Sequence, residues 1–395
     1  MRTSHSIAAA LSTGLGLASA ACSASSFLYV TTYPTGEGSV GKVTTLSLSE
    51  SGLESVAASD DCGPYPSWLT QAGDILYCVD EAWPSPNGSL TSLQVGEDGL
   101  VSKLSSLPTF GGPVSTIIYG DGGRGLAVAD YAGAGINTFN IADPAAIEPL
   151  QSELFPAPAD NRSNPQEQAR PHQAVLDPTG EFLVFPDLGA DLLRVFKVDK
   201  ETLQYTESTL LEFDRGTGPR HAAFFTGDSK TFLYVINELQ NSVTGFAVTY
   251  NEDETLSFDQ VYNATTHGGT DPVPEGTSAA EITVAPGSNF ITLSSRFERN
   301  LEFTVANGTT VPSDPLITFS IDPETGALTH VQTAPAGGIN PRHFSFNKDG
   351  TRVAVGLQSD GRVVILERDT ETGEIGGAVA EVDIPGQPNF VLFKE

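Results

Sequence analysis

The sequence predicts an all-β protein, a seven-bladed β-propeller of four-stranded blades, and three observations carry that prediction. A polar head recurs, as Pro219-Arg220-His221, as Pro341-Arg342-His343 and, without the arginine, as Pro171-His172-Gln173. Each head opens the same succession of apolar runs and turns: PHQAVLDPTGEFLVFPDLGADLLRVFKV (171–198), PRHAAFFTGDSKTFLYVINELQNSVTGFAV (219–248) and PRHFSFNKDGTRVAVGLQSDGRVVILER (341–368). Finally, the sequence closes on PNFVLFKE (388–395), a head without a remainder, and FLYVTTY…KVTTLSLS (27–49) is a remainder without a head.

The runs are too short for helices and rich in Val, Phe, Tyr, Leu and Ile, and Gly, Asp and Asn bound them, so they read as strands joined by tight turns. Asp177-Pro178-Thr179-Gly180, Thr226-Gly227-Asp228 and Lys348-Asp349-Gly350 occupy the same turn, using residues that tolerate backbone conformations bulky side chains resist. Fainter copies begin at Pro66, Pro113 and Ser278, which makes six with the three strong ones. The head at 388 and the remainder at 27 supply a seventh, split between the ends. A period of roughly 40–60 residues with several strands per unit signals a propeller. Residues 22–395 therefore read as one domain, where length alone would suggest more.

Residues 1–21, MRTSHSIAAALSTGLGLASAA, place a basic residue before a short apolar stretch ending in small residues. This reads as a signal peptide, with cleavage after Ala20, Ala21 or Ala24, and predicts a secreted protein. Sequons at Asn87, Asn161, Asn263 and Asn307, all in expected loops, are glycosylation candidates on that route. Cys22 falls at the leader boundary, leaving Cys62 and Cys78 as an expected disulfide.

The chain carries 49 acids against 20 bases, a formal charge of −29, without long acidic runs. Such a surface disfavours nucleic acid and anionic membranes, which need basic patches. No metal-ligand spacing, phosphate loop or nucleophile turn is present, so neither a metal nor a cofactor is demanded. The expected partner is a small-molecule lactone or carboxylate.

Propeller heads deliver equivalent residues toward a common centre. The polar candidates at heads and mid-copy positions are His172, Asp187, Arg220, His221, Asn237, Glu238, Glu281, Arg296, Arg342, His343 and Gln358. Three of the six histidines fall at heads. Glu238 follows an apolar strand where Leu188 and Leu357 stand in other copies, so a buried carboxylate there needs a cation. Arg220, one strand earlier, is the expected partner. Arg296 is the counterpart of Glu238 in the adjacent copy; pairing with Glu298 is the alternative to a place in the site.

These heads, with VINEL, ADYAGAG (129–135) and NPRHFSFNKDG (340–350), resemble the lactonase-type seven-bladed β-propeller family. It includes 6-phosphogluconolactonases of the cycloisomerase-2 type and the fungal carboxy-cis,cis-muconate cyclising enzyme. The resemblance spans the chain after its leader. Motif by motif it implies a cleft histidine at His172, arginines at Arg220 and Arg296 and a glutamate at Glu238. It implies hydrolysis of a sugar-acid lactone, with muconate-type cyclisation or ligand binding without catalysis as rivals. Glu238 or His172 would be the general base, and Arg220 with Arg296 would meet the developing oxyanion. The site is thus expected around the first Pro-Arg-His, and the second is expected to be mainly architectural.

Overall fold

A computed structural model describes residues 26–160, 162–269 and 272–394; the expected leader, Cys22 and the Asn161 sequon lie outside them. Seven four-stranded antiparallel sheets form, each built from one predicted copy. Their innermost strands are Pro66–Ala72, Pro113–Tyr119, Val175–Leu176, Pro219–Thr226, Ser278–Val284, Pro341–Phe346 and Gln387–Phe393. We number the blades one to seven in that order. Inner strands of adjacent blades touch, except that blade three meets the inner strand of blade four through its second strand, Phe182–Asp187, and the seventh returns to the first, closing the ring. In blade seven Ser26–Tyr33 pairs with Gln387–Phe393, Leu28 opposite Phe393 and Val30 opposite Val391, so the split copy zips into one sheet as expected.

The strands are continuously apolar because both faces of every sheet are buried. In blade three Leu183 and Phe185 pack toward blade two while Phe182 and Val184 pack toward blade four. Seven hydrophobic clusters result, one at each interface between adjacent blades. Truncating a buried phenylalanine there costs about 3–5 kcal/mol. Only outermost strands such as Glu148–Leu154 are largely solvated.

Two additions stand outside this plan among the described residues. Blade five carries a hairpin, Leu301–Thr304 with Thr310–Ser313, and the glycine-rich 120–125 segment makes one 3-10 turn, Asp121–Gly123. Cys62 and Cys78 are bonded, with Cα atoms 5.9 Å apart. Asn87 and Asn307 are exposed outside strands, as expected. Asn263 is exposed too, but on the outermost strand Leu256–Thr265. An outer strand has one solvated face, so exposure there did not require a loop.

Candidate active site

The heads work as β-bulges. The pairing register slips between Pro66 and Trp68, Pro113 and Ser115, Pro219 and His221, and Pro341 and His343. The partner strand in blade seven slips likewise between Phe390 and Pro388. Each slip leaves the middle residue out of the ladder, and a bulge re-aims the side chain it frees. The freed side chains Ser67, Val114, Arg220, Arg342 and Asn389, together with His172, converge on a small axial space of about 10 Å³. The proline belongs there because it opens an inner edge strand and needs no ladder partner for nitrogen.

Beneath that space runs a hydrogen-bonded chain whose proton positions follow from donor chemistry. Arg220 Nη1 lies 3.1 Å from His221 Nε2. A guanidinium only donates, so Nε2 accepts, and His221 Nδ1–H is left to donate to Glu281, 3.0 Å from both oxygens. His172 Nδ1, 3.2 Å from the same His221 Nε2, must then carry its own proton and donate. This places the His172 lone pair on Nε2, which has no partner among the described residues, on a ring that lines an open cavity. On the other side the Val391 N–H donates to His343 Nδ1 at 3.3 Å, so His343 Nε2–H faces Glu281 at 3.4 Å. Burial, joined by Arg220, holds His172 and His221 well below the usual histidine range. Burial likewise brings His343 down to about 4 and raises Glu281. These contacts are hydrogen bonds of neutral imidazoles, although their spacing would suit ion pairs.

A second tier stands above the heads. In four blades the residue pairing with the head proline is Asp80, Asp130, Asp187 or Asn237, and Glu81, Tyr131, Leu188 and Glu238 follow it. Their amides donate to the carbonyls of Tyr65, Gly112, Arg170 and Gly218 just before each head. Gly218 adopts φ +65°, and a Cβ there would lie 2.4 Å from Leu239, so the turn that seats Glu238 requires glycine. Glu238, Glu81, Tyr131 and Tyr33 line a cavity of about 440 Å³ with His172, Arg342, Tyr65 and Trp83.

Glu238 is clamped. Arg220 Nε lies 2.8 Å from Oε2, Arg296 Nη2 lies 3.0 Å from Oε1, and the Ser278 hydroxyl donates to Oε1 at 3.1 Å. Burial alone would raise this carboxyl, but Arg296, Arg220 and Arg342 outweigh it and hold it at about 2. Both clamping arginines are spent: Arg220 also donates to the Ala280 carbonyl, and Arg296 to the Ser278 and Ala279 carbonyls. Arg220 is 2 % exposed. Burial draws its guanidinium down to about 9, which leaves it cationic near neutral pH. Arg342 differs. Among the described residues its side chain has no ion pair or hydrogen bond, and it opens into the cavity. Burial would lower it, but Tyr33, Glu81, Glu238 and Tyr131 reverse the sign and raise it.

The family model "Lactonase, 7-bladed beta-propeller" matches residues 27–393. The chain belongs to this family. A relative from Arthroderma benhamiae named "Probable 6-phosphogluconolactonase" is 28% identical over 333 residues, 83% of this chain and 79% of that protein. The 6-phosphogluconolactonase of Bacillus subtilis is 24% identical over 314 residues, 79% and 82% of the two chains. The solved periplasmic gluconolactonase of Pseudomonas aeruginosa aligns over 94% of this chain and 99% of its own, with a TM-score of 0.74 and 23% identity.

Within this lactonase-family frame, His172, Arg220, Glu238, Arg296, His221, Glu281, Arg342 and His343 form one contiguous assembly, of which His172, Glu238 and Arg342 face the open cavity. Three expected residues stand apart. Asp187 is fully buried, accepting from the Arg170 and Ala190 amides and Arg194 Nε. Asn237 is fully buried and donates to Ser242 and Thr244. Gln358 accepts from Asn340 Nδ2 at 3.2 Å, away from the cavity. All three anchor strand ends. Arg296 pairs with Glu238 and not with Glu298, which takes His267 and Asn300 instead. The counterpart of Glu238 in blade six is Gln358, one position beyond Leu357, because its amide is the one bonded to the pre-head carbonyl. The second Pro-Arg-His was expected to be mainly architectural; its Arg342 lines the cavity without an ion pair or hydrogen bond among the described residues, while Arg220 of the first is sealed. Tyr33, Glu81, Trp83 and Tyr131 escaped the sequence reading. The aligned pairs Asp80-Glu81, Asp130-Tyr131 and Asn237-Glu238 held the signal for two of them.

Proposed function

We propose that this protein hydrolyses a sugar-acid lactone, in the manner of the 6-phosphogluconolactonases it resembles, in an oxidising compartment outside the cytoplasm. The observation that carries the reading is the pairing of a neutral imidazole lone pair, His172 Nε2, with the unpaired Arg342 guanidinium in one cavity. His172 Nε2 takes a proton from water as its oxygen attacks the lactone carbonyl, and Arg342 meets the oxyanion by charge-assisted hydrogen bonds. The imidazolium then returns that proton to the ring oxygen as the carbon–oxygen bond breaks, leaving a hydroxy acid that ionises. Glu238 is committed to its arginine clamp; its charge and the His221–Glu281 chain steady the transient imidazolium.

Hydrolysis is favoured over cyclisation of an unsaturated dicarboxylate because two carboxylates would compete for a single unpaired arginine. The Cys62–Cys78 bond and the leader-like residues 1–21 support the compartment, since such bonds persist where thiols are not kept reduced. The test is His172→Ala assayed against aldonolactones: turnover should fall about 10²–10⁴-fold with the melting temperature nearly unchanged. Full activity in the variant would remove the base. Thermal stabilisation by lactones without turnover in the wild type would indicate a binding protein.

A further inference from the structure

The cavity carries one arginine, Arg342, that has no ion pair or hydrogen bond among the described residues, and this limits how many anionic groups a ligand can bring. Its lining offers Arg342 as a free cation, with His172 held neutral; against these stand Glu238, already clamped, and Glu81. Glu81 is 7% exposed and has no cation within ion-pair distance among the described residues; burial raises its carboxyl, and Arg342 across the cavity offsets part of that rise. Its oxygens are fixed by the Tyr33 hydroxyl and by Trp83 Nε1–H, the latter at 2.5 Å. No lysine and no helix N-terminus contributes to the lining. The remaining walls are Tyr33, Tyr65, Trp83 and Tyr131, flat surfaces suited to the C–H faces of a sugar ring.

A lactone bearing a phosphate ester presents two demands for a cation, at the carbonyl where charge develops and at the phosphate dianion. If Arg342 serves the carbonyl, the phosphate meets Glu81 and aromatic walls. If Arg342 serves the phosphate, the oxyanion loses its donor. A neutral polyhydroxy lactone presents one demand only, and its hydroxyls can donate to Glu81. We infer that the cavity takes an unphosphorylated aldonolactone, with Glu81 as the residue that turns a phosphate away. This rests on the lactone-hydrolysis reading and narrows it.

The decisive comparison is kcat/KM of the wild-type protein for glucono-1,5-lactone and for its 6-phosphate under one buffer condition. A preference of about tenfold or more for the neutral lactone, equivalent to about 1.4 kcal/mol, is expected. An equal or greater kcat/KM for the phosphate overturns this inference while leaving lactone hydrolysis intact. Turnover of neither compound sinks hydrolysis itself. Glu81→Gln should narrow the preference and Glu81→Lys invert it; an unchanged ratio in both variants means that Glu81 does not set it. Competitive inhibition of the wild type by gluconate and by 6-phosphogluconate gives a readout independent of variant folding, with the unphosphorylated acid expected to bind more tightly. The reverse order overturns the inference.

Discussion

The two Pro-Arg-His heads are identical in sequence and bulge geometry, yet their arginines are in opposite states. Arg220 is sealed beneath Glu238 and shared among Glu238, His221 and the Ala280 carbonyl. Arg342 stands in the cavity with its charge unspent. The difference comes from the tier above. The residue after the second strand is Glu238 in one blade and Gln358 in the other, and Gln358 turns to Asn340. A repeat fixes where a side chain points; the neighbouring blades decide whether that side chain is structure or chemistry.

The strongest way to break this comparison is Arg220→Met. It leaves a partly buried carboxylate short of a partner, so stability should fall by about 2–3 kcal/mol in urea titrations; a near-neutral variant would mean that Arg296 alone suffices. Arg342→Met should do the converse, cutting kcat/KM by about 10²–10³-fold while the melting temperature barely moves. Equal stability losses in the two variants would erase the distinction.

Proton linkage sharpens the contrast further. Glu238 sits at about 2 in the fold and near 4.3 unfolded. Its stabilising contribution is therefore present above about pH 4.3 and lost as pH falls toward 2. The stability advantage of wild type over Glu238→Gln should shrink by about 2 kcal/mol across that window. Asp130, the blade-two residue aligned with Asn237, has the opposite sign. It is fully buried, and among the described residues neither oxygen has a hydrogen-bond partner. The Thr109 hydroxyl donates to the Phe110 carbonyl instead, and burial raises the Asp130 carboxyl well above its usual value. Stability tied to Asp130 is full below about pH 3.9 and declines as pH rises. Asp130→Asn should therefore stabilise the fold at neutral pH by about 1–2 kcal/mol, with the gain gone near pH 3.5; melting curves at the two pH values check this.

The ring was legible because its signals are local: heads, turn residues and apolar runs recur within each copy, and even the split blade announced itself. The assembly of His172, Arg220, Glu238 and Arg296 was legible for the same reason, as those residues occupy repeat positions. Pairing was less accessible. Arg220 and Glu238 come from blade four and Arg296 from blade five, so whether a charge is free depends on a contact between copies that no single copy records. The aromatic wall went unseen because Tyr33 precedes the first head and Tyr131 looks like any other strand-end tyrosine until its amide is matched with that of Glu238.

Blade seven adds a consequence for assembly. Tyr33 and Gln387 both line the cavity, and their strands are locked by a bond from the Thr31 hydroxyl to Asn389, 358 positions apart. Asn389 also donates to the Pro66 carbonyl of blade one. No partly folded chain that lacks this clasp can possess the cavity. Competence to bind thus requires both ends of the sequence to have met in blade seven. Any ligand that fills the cavity acts as a latch on the whole circle, adding RT ln(1 + [L]/Kd) to global stability and not to one loop.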